Sequence, residues 1–285
     1  MDRAGLYEVL DSYLRALGSR DARAVQWAPR ALTSENNVML GVGDGLWGTI
    51  ESVGDYRLRF ADPATGHVGY FGTVHEAIEE SAFTTRLRVD DAGCILEAES
   101  IVVRQSDSGI KFESPRYWDK PLLNAAAERP VPRAEMVRLA NGYFDTLQLN
   151  DGTLHTRFHP DCNRVENGVQ TTRNPAFAKI VPVAALGCEE QFRMGNYRYD
   201  DRLRGRRFPM VDEERGLVLA FGFIDHCGRL AEYELTDGRT VHSPVRRPHS
   251  FYLAELFKID AGMICQIEAN FITVPYHMPS PWDSP

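Results

Sequence analysis

One half of this chain repeats the pattern of the other, and that constrains its fold more than any other feature. Residues 211–226, VDEERGLVLAFGFIDH, begin with a turn from Asp212 to Gly216. They continue as an apolar strand, Leu217 to Ile224, and end on Asp225 and His226. Residues 61–76, ADPATGHVGYFGTVHE, keep the Asp62–Gly66 spacing, set Phe71-Gly72 where the later stretch has Phe221-Gly222, and end on His75 and Glu76. Other landmarks recur in the same order. Tyr13-Leu14 answers Tyr143-Phe144, Glu35-Asn36 answers Glu166-Asn167, and Glu99 in AGCILEAES answers Glu268 in AGMICQIEA. The period is about half of the 285 residues, far beyond the roughly 20–50 residues of a solenoid repeat. Two tandem copies of one domain are the expectation.

The length suits two ordinary domains, and 43% hydrophobic with 25% charged residues is a globular composition. A net charge of −8 speaks against nucleic acid as a partner, which calls for a basic stripe. No apolar run is long enough to span a membrane. The N-terminal MDRAGLYEVLDSYLRAL is an amphipathic, acid-bearing helix rather than a targeting peptide. Five cysteines without a CxxC fit free thiols in a reducing cytoplasm.

In chain order, residues 4–17 set Leu6, Leu10, Tyr13, Leu14 and Leu17 at helical spacing. Gly18 ends this helix, and Asp21 caps a second one ending near Pro29. Residues 32–40 read as a strand carrying Glu35-Asn36, and 41–54 as a loop with a short helix at Leu46-Trp47. Strands follow at 55–60, 67–76, 82–90 and 94–104, with turns at ADPATG, AIEES and DDAG. The expected boundaries are 1–104 for the first domain, 105–133 for a proline-bearing linker and 134–285 for the second domain with its tail. Tyr117-Trp118 in the linker is expected to lie across a domain surface. The second copy predicts helices at 134–149 and 151–158, a strand at 163–168 and an excursion at 169–205 holding a helix near 183–193. Its remaining strands are predicted at 206–211, 217–226, 250–259 and 263–274.

Helices first, a strand carrying an acidic residue before Asn, then an antiparallel meander: this resembles the nuclear transport factor 2-like (SnoaL-like) superfamily. The resemblance rests on TSENNVMLG (33–41), HPDCNRVENG (159–168), LRVDDAGCILEAE and LFKIDAGMICQIEA. It implies an α+β fold: two tandem cone-shaped barrels, each a curved antiparallel sheet with helices packed in its concave face. It also implies pairing of sheets through their outer faces, within one chain here, and an expected homo-oligomer. The superfamily includes ketosteroid isomerases, scytalone dehydratases, polyketide cyclases and binding modules. The tandem arrangement is also similar to cofactorless lyases that release formaldehyde from lignin-derived diarylpropanes.

The cavity of such a cone is the default ligand site. Histidine titrates near neutrality, so His226 at the end of its strand is the first acid/base candidate. Asp225 is its neighbour but points to the opposite face, so a partner for His226 must come from elsewhere. The segment DCNRVENG packs Asp161, Asn163, Arg164 and Glu166 together, with Asp161 and Asn163 on one strand face and Arg164 and Glu166 on the other. His226, Asp161 and Glu166 are the expected catalytic residues. Arg164, Arg207, Tyr143 and Asn163 are the expected substrate ligands, Arg207 being matched to Arg57 of the first copy. Each has a plain alternative as a packed or solvated side chain.

His155 and His159 have the spacing of helix-borne metal ligands, but no partner set accompanies them and Pro160 interrupts a helix there. No metal is expected, and no nucleotide or serine-nucleophile motif suggests a cofactor. The expectation is a cofactor-independent lyase or dehydratase acting by acid/base chemistry on a small aromatic molecule. One example is deformylation of a diarylpropane diol to a stilbene. The alternatives are an isomerase or cyclase, or a non-catalytic binding module. Divergence of the copies at Glu76 and His226 points to one active cavity, the second.

Overall fold

The computed structural model describes residues 1–77, 79–106 and 111–283. The AIEES turn, the linker and the tail therefore fall partly outside the described residues. The first half opens with α1 (Arg3–Gly18), capped by the Asp2 carboxylate accepting from the Gly5 N–H at 2.9 Å. The helix buries Leu6, Leu10, Tyr13, Leu14 and Leu17, the stripe that the leucine spacing predicts. The second helix expected there is only a single turn, Ala22–Ala24, before β1 (Trp27–Glu35) begins. Then come β2 (Val38–Leu40), α2 (Leu46–Thr49), β3 (Ile50–Asp62), β4 (His67–Glu76), β5 (Glu79–Val89) and β6 (Ile95–Val103).

The linker carries α3 (Lys120–Asn124), and the second half repeats the plan from α4 (Arg133–Leu147). Its strands are β7 (Phe158–Glu166), β8 (Val169–Gln170), β9 (Arg202–Asp212), β10 (Leu217–His226), β13 (His249–Asp260) and β14 (Met263–Val274). The excursion between β8 and β9 holds α5 (Cys188–Arg193). A small hairpin, β11 (Glu232–Glu234) with β12 (Thr240–His242), fills the loop after β10.

The two sheets have one topology. The orders are β2-β1-β6-β5-β4-β3 and β8-β7-β14-β13-β10-β9, parallel only at β1–β6 and β7–β14. The Glu-Asn pair shared by the copies has a backbone task. Asn36 and Asn167 both take positive φ, 52° and 49°. Each side chain then mimics a peptide group against the parallel strand: Asn36 to Val102 at 2.8 and 3.1 Å, Asn167 to Phe271 at 2.9 and 3.0 Å.

The outer faces of the sheets meet in one apolar core that includes Leu58, Phe60, Phe71, Leu219, Phe221 and Tyr252. β4 and β10 are therefore covered on both sides, which explains their unbroken apolar character. The repeated turns clamp this contact reciprocally. Asp62 binds Arg133 at 2.6 and 2.9 Å, and Asp212 binds Arg3 at 2.6 and 2.8 Å. Such reciprocity is the signature of a two-fold contact. Gly66 and Gly216 need positive φ, and a Cβ on Gly216 would stand 2.1 Å from the Ile259 carbonyl. The linker lies across the seam, with Trp118 buried against Tyr56 at 4.7 Å between ring centres. The tail packs on the first half through Trp282 Nε1–H donating to Ser34 Oγ at 2.9 Å.

The predicted helix at 151–158 does not form. Side-chain bonds hold this segment against α4 instead: His155 N–H donates to Thr146 Oγ1, and Thr156 Oγ1–H to the Leu139 carbonyl, both at 2.8 Å. Gly142 permits the approach, since a Cβ there would lie 2.3 Å from the His155 carbonyl oxygen. Among the described residues no helix is long and apolar enough to cross a membrane.

Candidate active site

The second sheet encloses a cavity of about 120 Å³ on its concave side, walled by α4, the excursion, β7, β10, β13 and β14. The corresponding space in the first half is about 30 Å³. There Tyr13, Trp27 and Trp47 pack edge to face, with ring centres 5.4–6.3 Å apart, and fill the cone.

Leu147, Ile224, Phe251, Leu253 and Phe271 make the hollow cone apolar, and its polar groups gather at two ends. At one end His226, 2% exposed, holds Nε2 at 2.8 Å from Asp200 Oδ1. Its Nδ1 is buried without a partner among the described residues. The Asp200 carboxyl group beside the ring edge sets the orientation of the imidazole. His249 stacks on His226 at 4.6 Å between ring centres and Phe251 meets it edge-on at 5.0 Å. Burial raises the Asp200 carboxyl, and the pairing with His226 pulls it back.

At the other end stands Glu255, 3% exposed. Burial pushes it up to about 8, the negative charge of Glu166 adds to this, and a hydrogen bond with Tyr143 and the charge of Arg164 oppose it. It is therefore protonated at neutral pH and able to donate. Arg164 lies 3.5 Å from Glu166, donates to Gln191 Oε1 at 2.8 Å and contacts the Tyr197 hydroxyl. Its charge is thus held by side chains from α5 and the excursion.

The structure brings His226, Glu166, Arg164 and Tyr143 to one cavity. It places the other expected residues elsewhere. The Asp161 carboxylate is 91% exposed, on the far face of β7. Asn163 shares that face and accepts from Thr172 and Arg173, both at 3.2 Å. Arg207 ion-pairs with Glu99 in the seam between the sheets. Its presumed match to Arg57 fails by one residue, because Arg207 sits opposite Phe221 where Leu58 sits opposite Phe71. His155 and His159 lose their helical spacing with the missing helix, and no group of three metal-binding side chains occurs among the described residues.

Asp225 does point away from His226, toward Arg204 and Ser250 at 2.8 and 2.6 Å. The partner that His226 needed, Asp200, comes from the excursion, where nothing in the sequence marks it. Glu255 carried a signal: in FYLAELF it is the one charge within an apolar strand.

In the first half, Glu76 holds the place of His226, by the pairings Glu76–Glu79 and His226–His249. It is bound by Arg104 at 2.7 and 3.0 Å. Thr85 replaces Glu255, opposite Ser100 as Glu255 is opposite Ala269.

Among solved structures, the chain is similar to a steroid delta-isomerase from Pseudomonas aeruginosa, at 17% identity over 36% of this chain and 83% of that one, TM-score 0.30. It is similar to AusH from Aspergillus nidulans, at 12% identity over 42% and 98%, TM-score 0.32. It is also similar to an NTF2-like protein of unknown function from Cytophaga hutchinsonii, at 8% identity over 34% and 88%, TM-score 0.29. No curated protein matches the chain. The family model described as "Domain of unknown function (DUF8021)" matches residues 1–101 and 129–271, spanning both copies, and the chain belongs to that family.

Proposed function

We propose that the second cavity is the site of a cofactor-independent proton-transfer enzyme, a lyase or dehydratase, acting on a small molecule with an aromatic ring. One observation carries the reading. An imidazole and a neutral carboxylic acid line the same apolar space: His226 with Asp200 behind it, and Glu255 kept protonated up to pH about 8. A base and an acid held in one apolar site can run both halves of a proton transfer. Positioned proton transfer of this kind contributes about 100- to 10,000-fold.

His226 takes the proton on its imidazole, and the imidazolium is stabilised by Asp200. Glu255, with the Tyr143 hydroxyl beside it, donates to the oxygen that gains charge or leaves. The low-dielectric walls strengthen both effects. Donation by a Tyr and a neutral carboxylic acid to one oxygen also suits enolisation of a ketone, so an isomerase is the second reading.

Size narrows the substrate. A cavity of about 150 Å³ holds one benzene, so about 120 Å³ holds at most one ring. A diarylpropane diol matches the chemistry. Glu255 would protonate the departing benzylic hydroxyl, and His226 would take the primary alcohol's proton. Carbon–carbon cleavage would then expel formaldehyde and leave a stilbene. Only one of its two rings could occupy the cavity, and the other would lie beyond it.

The test is turnover without added cofactor on lignin dimers, ring-bearing ketones and steroids, in heavy water so that isomerisation shows as deuterium uptake. Conversion or exchange that disappears in His226→Ala supports the proposal. No turnover of any class, or turnover indifferent to that substitution, sinks it.

A further inference from the structure

A second space lies against the outer side of the His226 end. It is an open groove of about 740 Å³ between the loop 244–249 and the end of β14, with Arg246, Arg247, His249, Phe251 and Tyr276 along it. Two contacts join it to the cavity. Phe251 lines both spaces. His249, in the groove wall, is stacked at 4.6 Å on His226, in the cavity wall. His249 is held in place by its Nδ1 at 2.8 Å from the Arg247 carbonyl oxygen.

The groove is electrostatically one-sided. Among the described residues, no acidic side chain lines it. Arg246 and Arg247 are exposed, and neither enters an ion pair among the described residues. In a chain of net charge −8, two uncommitted guanidinium groups in a groove that shares Phe251 with the wall of an apolar cavity form a local attractor for anions. Guanidinium is also the group best shaped to bind a carboxylate through paired donors.

We infer that the groove is the outer half of the substrate site, and that the substrate is an aromatic molecule with an anionic, carboxylate-type tail. The ring passes Phe251 into the cavity, the tail remains with Arg246 and Arg247, and the joining carbon lies beside His226. This division accounts for the size mismatch, because only the ring has to fit the inner space. The inference deepens the reading of the cavity as a reaction site and rests on it for the placing of the reacting carbon.

Binding is the test, so it is separable from turnover. The probes are 3-phenylpropanoate and its amide, titrated calorimetrically into the full chain. The carboxylate is expected to bind at least about tenfold tighter than the amide, a preference that falls as salt is raised. In Arg246→Gln/Arg247→Gln the two probes should bind alike, at the amide's affinity. Ala269→Leu, which fills the cavity, should abolish binding of both; Ile224→Phe serves the same purpose if that variant does not fold. Equal binding of the probes to the native chain overturns the inference. So does a carboxylate preference that survives in the double variant, or binding that survives filling of the cavity. A chain that binds the carboxylate as described, yet turns over nothing, sinks the proton-transfer reading alone.

Discussion

The two cones share a topology, and they differ in what fills them. In the first, Trp27 and Trp47 close on Tyr13, and Glu76 is committed to Arg104. In the second, Tyr143 is packed in the same edge-on way by Phe158 and Phe192, smaller rings that leave about 120 Å³ of space, and the residue at the register position of Glu76 is His226, paired with Asp200. The shared parts are those that make the pair of sheets: the reciprocal Asp–Arg clamps, the Asn side chains against the parallel strands, and the apolar outer faces. On the concave sides Tyr13 and Glu35 are kept as Tyr143 and Glu166, while Glu76 and Thr85 give way to His226 and Glu255. The contact between copies constrains both halves alike, whereas the second concave side holds about 120 Å³ of space against about 30 Å³ in the first.

The largest effect expected from this contrast is on turnover. His226→Ala should lower it about 100- to 10,000-fold per folded molecule, with the melting point also lowered because Asp200 loses its buried partner. Glu76→Gln, at the matched position, should leave turnover per folded molecule unchanged. Equal losses from the two variants would mean that both cones work.

Stability should show the reverse. Trp47→Ala opens a hole in the filled cone and should cost about 3–5 kcal/mol, read from denaturant unfolding. Per-molecule turnover should hold. If Trp47→Ala is nearly free of cost, the first cone is not packed as described.

A third prediction concerns pH. Glu255 sits at about 8 in the folded chain against an ordinary 4.5. The folded state then holds the extra proton between those values, and stability must fall as pH rises through that window. Glu268, buried at the seam and also raised to about 8, acts in the same sense. Glu255→Gln should flatten the decline and stabilise the chain at the alkaline end of the window by at most about 5 kcal/mol. It should also lower turnover. Unfolding curves at both ends of the window check this. A variant as pH-dependent as the native chain would mean that Glu255 is ionised.

The smallest effect is expected at Asp161. On its exposed face, Asp161→Asn should change stability and turnover by no more than about 0.5 kcal/mol. A large loss would return it to the site.

The duplication, the strand order of the meander and the inward set Arg164, Glu166, Tyr143 and His226 were legible because each follows from periodicity. Alternation along β7 and β10 assigns faces, and matched landmarks assign registers. Asp161 and Asn163 were misjudged because proximity in sequence was given weight that alternation denies: a strand face, not a cluster, decides what reaches a cavity. Arg207 was misplaced by a single irregularity between β9 and β10, which shifts it into the seam. Asp200 could not be found, since it enters from an irregular excursion whose path depends on tertiary contacts such as Gln191 with Arg164. Glu255 was visible as a lone charge in an apolar strand and was passed over in favour of the denser polar segment.

The central claim is that one cone is hollow and chemically poised while its twin is solid. A crystal of the full chain equilibrated with phenol tests it most directly, since the molecule is one ring with one titratable oxygen. The account predicts a single phenol in the second cone, between the His226 and Glu255 ends, and none against Trp47. Phenol in the first cone, or an empty second cone at saturating phenol, would contradict it.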